Sequence, residues 1–140
     1  MLRPSAVLDT NVVVSAHLNP DGYERFVLDL GLAGSIRLFV SDEILEEYRE
    51  VLHRRKFGWD PALVAESLEL IRKSAATVRP TEKIAVAKDP DGNKFLECAG
   101  KAGADYVVYG NKRHFPKRWE NVRIVNAREL LEELIPDLHS

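Results

Sequence analysis

The chain has 140 residues, a formal net charge of −2, 30% charged and 45% hydrophobic residues, the balance of an ordinary folded chain rather than of a disordered or membrane-spanning one. Its length suits a single domain over residues 1–140 that buries most of its apolar surface. No run approaches the roughly 18 apolar residues of a membrane span, the N-terminus MLRPSAVLDT lacks the apolar stretch and cleavage site of a secretory leader, and the charge identifies no partner, so the expected location is the cytoplasm.

Taken in chain order, residues 5–9 (SAVLD), 36–40 (IRLFV), 105–109 (DYVVY) and 122–125 (VRIV) are short β-branched or aromatic runs bounded by polar or turn residues, the pattern of buried strands. A weaker fifth candidate is 76–78. Helical periodicity covers 21–32, 41–56, 61–75, 93–102 and 127–135. Strand alternates with helix throughout, and near-continuous apolar strands predict a parallel sheet covered by helices on both faces. The single cysteine, Cys98, has no partner for an internal disulfide and sits among Leu96, Ala99 and Ala102, as a small core residue does.

In open α/β sheets ligands bind outside the carboxyl ends of the strands, and that rule selects three places. Asp9 closes the first strand, followed by Thr10 and Asn11; Ser41 and Asp42 close the second and open a helix; Gly110 and Asn111 close the strand at 105–109. On the helix from Ser41, with about 100° per residue, Ile44, Leu45, Tyr48, Val51 and Leu52 form one apolar arc. Of the acids there, Glu47 lies nearest that arc, about 40° outside it. On the helix from Asn93 the buried face is Phe95, Leu96, Ala99, Ala102 and Gly103. Glu97 falls opposite and is expected to face solvent, while Asp91 is expected as an N-cap.

The stretch KDPDGNKF, residues 88–95, tests as a calcium loop because Asp89, Asp91 and Asn93 fit the first three ligand positions of an EF-hand. Lys94 at the required glycine and Gly100 at the closing glutamate exclude it. No GxGxxG, GxxxxGK[ST], CxxC or HExxH is present, and the four histidines are scattered without ligand spacing. Asp9-Thr10-Asn11 begins like an aspartyl-phosphate motif, but Asn11 lacks the second carboxylate. In GNKRHFPKRW, Lys112, Arg113, Lys117 and Arg118 surround His114, Phe115 and Trp119, a mixture suited to a phosphate backbone and unstacked bases. Equally, the two aromatic residues of a solvated loop can simply pack on the core.

Taken together, LDTNVVVSA, SDEILEEYREVL, DPDGNKFLECAGKAGADYVVYGNKRHFP and VRIVNARELL resemble the PIN-domain family, and more narrowly its members that are toxin components of toxin-antitoxin systems, relatives of the VapC toxins. The order and spacing of the four blocks cover essentially the whole chain. The resemblance implies a three-layer α/β/α fold with a central, mainly parallel sheet of about five strands, and an acidic cluster that binds Mg²⁺ or Mn²⁺ and hydrolyses RNA. Carried over by position, the first acid is Asp9, supported by Thr10 and Asn11, and the second is Glu47. The third commonly stands just before NKFLECA, where this chain has Gly92, with Asp91 one residue and Asp89 three residues earlier. The fourth position is Asn111. The implied catalytic set is Asp9, Glu47 and Asp91; the implied metal ligands are Asp9, Glu47, Asp89, Asp91 and Asn111; the basic set for RNA is Lys112, Arg113, His114, Lys117 and Arg118. Asp105, at the start of its strand, reads as structural. The family context further implies an antitoxin protein partner and a homodimer. Gly92 and Asn111 leave a second expectation standing beside the nuclease: a catalytically weak or inactive fold that binds RNA or a protein.

Overall fold

The computed structural model describes residues 3–87, 89–110 and 115–136. Among these, strands β1 (Ser5–Leu8), β2 (Arg37–Val40), β3 (Ala76–Thr77), β4 (Tyr106–Tyr109), β5 (Arg118–Trp119) and β6 (Val122–Asn126) form one sheet in the order β3-β2-β1-β4-β6-β5. All neighbours pair in parallel except β5, which runs antiparallel at the edge. The helices are α1 (Thr10–Leu18), α2 (Tyr23–Leu32), α3 (Asp42–Leu52), α4 (Pro61–Ser74), α5 (Asn93–Ala102) and α6 (Ala127–Leu134).

Right-handed crossovers carry the chain from β1 through α1 and α2 to β2, and through α3 and α4 to β3. These four helices pack on one another, and α6 joins them against α2. The return from β3 to β4 runs the opposite way, and its helix, α5, lies against β1, β2 and β4 from the other face. The three-layer α/β/α arrangement and the mainly parallel sheet are therefore as expected, with six strands rather than about five. β1 is buried at every position, as a central strand covered on both faces must be. Phe95, Leu96, Cys98 and Ala99 of α5, each at 0% exposure, fill the space beneath it; burial pushes the Cys98 thiol up to about 12.

Three details depart from the sequence reading. The helix α1 lies where the sequence suggested no element; its three β-branched valines have weak helix propensity, which burial of Val12, Val13 and Ala16 outweighs. The short edge strand β5 lies inside the stretch expected as a basic loop, too brief for alternation to register. Glu97 is not solvent-facing: it is 9% exposed and its Oε2 accepts the Ile84 N–H at 3.0 Å. Asn93, one turn earlier on the same side, accepts the Val86 and Ala87 N–H groups at 3.1 and 2.8 Å. Both residues clasp residues 84–87, which fold back across α5 and cover the face that helical periodicity assigned to water.

Candidate active site

The C-terminal ends of β1, β2 and β4 converge on the start of α1. Asp9 donates its backbone N–H to the Val108 carbonyl at 2.9 Å, continuing the β1–β4 ladder, while its own carbonyl accepts the Val12 N–H at 3.0 Å and so begins the helix. Its side chain does not cap that helix and is 0% exposed. A buried carboxylate is costly unless compensated, and the unpaired N–H groups of a helix N-terminus favour negative charge.

Thr10, also buried, donates its hydroxyl to Oε2 of Glu47. The second carboxylate thus reaches the first helical turn beside Asp9, from the edge of the apolar arc of α3. Oε1 of Glu47 accepts the Lys94 ammonium at 2.7 Å, and the side chains of this pair are only 16% and 12% exposed. Lys94 also donates to the Asp91 carbonyl at 3.1 Å. The next residue on α3, Tyr48, is buried and donates its hydroxyl to the Leu8 carbonyl, pinning α3 to the end of β1. Burial holds the Tyr48 hydroxyl well above its ordinary pKa, and the charges of Asp9, Cys98 and Glu47 push in the same direction. Both carboxylates therefore act on one buried hydroxyl. Ser41 caps α3 by accepting the Ile44 N–H at 3.2 Å.

The third acidic position is built differently. Asp91 is exposed and does not cap α5, whose N-cap is Gly92. Asp89 instead caps the short 3-10 turn Pro90–Gly92 by accepting the Asp91 N–H at 3.1 Å. The intervening turn displaces Asp91 from the capping place that the sequence suggested. Gly92 is buried with φ −73°, so backbone conformation does not demand glycine there. Space is tight instead: a Cβ at Gly92 would lie 3.0 Å from Cε1 and 3.2 Å from Cζ of Phe115, and 3.3 Å from Cβ of Ala87, so these neighbours would have to give by a few tenths of an ångström. The phenyl ring of the basic stretch packs on the side from which a third side chain would project, with Tyr109 tilted against it at 6.5 Å. Gly110 is required more strictly, because a Cβ there would meet the Asn11 backbone and Cβ at 2.8 Å. Chain leaving β4 therefore passes directly beside Asn11.

Among the described residues, no three His, Cys, Asp or Glu side chains gather as a metal-binding group. The acids brought to the start of α1 are Asp9 and Glu47, the latter through its bond from the hydroxyl of Thr10, the residue after Asp9. Two carboxylates still fit Mg²⁺ or Mn²⁺ as a donor set, since Mg²⁺ keeps several waters and is commonly held by one or two carboxylates plus substrate phosphates. Asn111, Lys112, Arg113 and His114 lie outside the described residues. Lys117 is exposed, and Arg118 stands on β5 opposite Arg123, at the N-terminal end of β6 and hence across the sheet from Asp9. Asp105 accepts the Ser5 N–H and hydroxyl at 3.0 and 3.2 Å, a structural tie at that far end. Lys94 escaped the sequence reading because its partner, Glu47, lies far away along the chain and no local spacing announces the pair.

A family model of the PIN domain matches residues 5–113. An uncharacterized protein of Methanocaldococcus jannaschii is similar at 26% identity, over 94% of this chain and 92% of its own length. PIN domains have a nuclease-type fold, are generally hydrolases and often cleave RNA with the help of divalent metals such as Mg²⁺ or Mn²⁺.

Proposed function

This chain belongs to the PIN-domain family, and from that premise we propose that it is a divalent-metal-dependent endoribonuclease, acting as the toxin of a toxin-antitoxin pair. One observation carries the reading: a fully buried Asp9 at the end of a central strand, next to a threonine whose hydroxyl clasps a second, half-buried acid, Glu47. These two acids would form a donor set for a divalent cation, which at Glu47 would stand in for the Lys94 ammonium that this carboxylate now holds. Asp9 and Glu47 are the proposed ligands of Mg²⁺ or Mn²⁺, with Asp89, Asp91 and Asn111 as further candidates and Asp91 as a third catalytic acid. A divalent ion supplies a water of lowered pKa and screens charge on the phosphoryl oxygens.

The chain's own residues set the stage for that chemistry. Thr10 fixes the rotamer of Glu47. Tyr48, through the Leu8 carbonyl, holds α3 at the strand end, and Asn11 borders the passage of the chain at Gly110. Lys112, Arg113, His114 and Lys117 are the proposed contacts to the RNA strand. The toxin role implies a cognate antitoxin that covers the acid end, and a homodimer.

The deciding measurement is cleavage of single-stranded and structured RNA by the purified protein with Mg²⁺ or Mn²⁺, beside Asp9→Asn. Metal-dependent cleavage lost in the variant supports the reading; equal cleavage by both sinks this site. A second reading, an RNA- or protein-binding fold with little turnover, is favoured by one specific observation: Phe115 fills the space in front of Gly92. It predicts RNA binding without cleavage, and metal-dependent turnover by the unmodified chain excludes it.

A further inference from the structure

The opposite end of the sheet carries a feature that the acid site does not use. Ser5 pairs with Arg37 across β1 and β2, Ala6 with Tyr106 across β1 and β4, Tyr106 with Arg123 across β4 and β6, and Arg123 with Arg118 across β6 and β5. These registers place Arg123 and Arg118, both exposed, side by side on one face at the N-terminal edge; Arg37, also exposed, pairs with Ser5, one residue before Ala6, and so projects from the opposite face of the same edge. With a strand spacing of about 4.8 Å, the edge runs about 14 Å from β2 to β6 and about 19 Å to β5. It borders an open concavity of about 680 Å³ lined by all three and by Arg3, in which Asp105 is the single acid among the described residues. That acid is already engaged by Ser5.

Structural duties explain part of this arrangement. Arg3 donates to the Gly34 carbonyl just beyond α2, the Arg37 guanidinium lies 5.0 Å from the Phe39 ring centroid, and Arg123 pairs with Glu133. They do not explain Arg118 opposite Arg123. Like charges directly across a strand pair are destabilising, and among the described residues the Arg118 side chain finds only the Glu120 carbonyl, at 3.3 Å. A fold selected for stability alone gains nothing from that juxtaposition.

We infer that the arginines around this concavity form a second contact surface for the phosphodiester backbone of single-stranded RNA, separate from the acid site. Guanidinium groups present paired N–H donors suited to phosphate oxygens, and a ligand with repeated negative charge relieves the Arg118–Arg123 repulsion. The inference rests on the nuclease reading only for the choice of RNA as the polyanion.

The test is a salt titration of the full chain binding a labelled unstructured RNA of about 20 nucleotides, by fluorescence anisotropy in EDTA, so that turnover plays no part. Arg37→Gln/Arg118→Gln is expected to weaken binding about tenfold and to lower the slope of log affinity against log salt by about 1.4, the loss of two single-strand phosphate contacts. Arg118→Glu, which places opposite charges across β5 and β6, guards against misfolding: it should melt no lower than the parent and still bind more weakly. Unchanged affinity and slope in both variants overturn the inference, as does a parent that binds no RNA. Cleavage assays run alongside separate the two readings. A slope change without metal-dependent cleavage leaves the arginine surface standing and removes the nuclease; cleavage with an unchanged slope does the reverse.

Discussion

At the C-terminal end of the strands the charged groups are buried and answered from within the chain: Asp9 is 0% exposed, and Glu47 is clasped by Thr10 and Lys94. At the N-terminal end Arg37, Arg118 and Arg123 are exposed, and two of them face each other across a strand pair. In the first region desolvation makes each charge expensive, so every partner has an energetic consequence. In the second, water screens the charges and each costs little. Mutations at the acid end should therefore act on chemistry and stability together, whereas those at the arginine end should act on association with almost no cost to the fold.

The largest effect expected is on turnover. Asp9→Asn keeps the shape of the side chain and removes its charge, and should lower metal-dependent RNA cleavage by at least about 100-fold, in line with the loss of principal charge stabilisation at a reaction centre. Its thermal midpoint should not fall, because a buried charge has been neutralised. A variant that cleaves normally breaks the comparison at its chemical side.

Next in size is the pair beneath it. Lys94→Met leaves Glu47 half-buried without its ammonium partner and should destabilise the metal-free protein by about 2 kcal/mol, below the range for fully buried pairs. Glu47→Gln/Lys94→Met should recover part of that loss, a coupling that a double-mutant cycle in urea measures. The same cycle on the surface pair Arg25–Asp29, joined at 2.8 Å but with side chains 30% and 55% exposed, should barely register. Equal coupling in the two cycles would erase the distinction between buried and exposed charge.

A third test probes how dry the interior behind the acid end is. Burial raises the Cys98 thiol to about 12 from an ordinary value of 9.0, so above pH 9 the unfolded chain releases this proton while the folded chain keeps it. The unfolded state then binds fewer protons, and stability falls as pH rises from about 9 towards about 12, by up to about 1.4 kcal/mol per pH unit. Urea midpoints of the parent and Cys98→Ala should converge as pH climbs through that window. Arg37→Gln, at the opposite end of the sheet, should show no such pH-dependent convergence.

The two ends also differ in how much of them the sequence discloses. Asp9 was legible because a polar residue closing an apolar strand is conspicuous, and Glu47 because helical periodicity put it at the edge of a buried arc. Neither signal depends on distant chain. Lys94 depends on contact between α3 and α5, and Glu97 on a segment folding back over its helix, so local periodicity misplaced one and passed over the other. The same limit hid α1, whose three valines obey a β-strand preference that tertiary burial overrules. The arginine edge exists only through strand register: Arg123 and Arg118 become neighbours when β6 and β5 pair, and Arg37 joins their edge when β2, β1, β4 and β6 line up. The third acidic position was readable as a gap at Gly92, but not the Phe115 ring that packs against it.

The smallest effect is also the most diagnostic, because its sign is opposite to that of an ordinary surface mutation. Arg118 and Arg123 are directly paired between β5 and β6, and like charges in that geometry are destabilising, whereas opposite charges contribute roughly 0.2–1 kcal/mol. Arg118→Glu should therefore raise the stability of the metal-free, RNA-free protein by up to about 1 kcal/mol, read as a higher urea midpoint at low salt that fades as salt is added. Arg123→Glu should not match it, since that change also places a second acid against Glu133, the partner Arg123 now holds. A gain at position 118 together with weaker RNA binding means that the repulsion is retained for its ligand. Loss of stability at position 118 means that the Arg118 side chain serves the hairpin itself, through the Glu120 carbonyl it now reaches, and the contrast between a costly buried end and an inexpensive exposed one then fails at its exposed side.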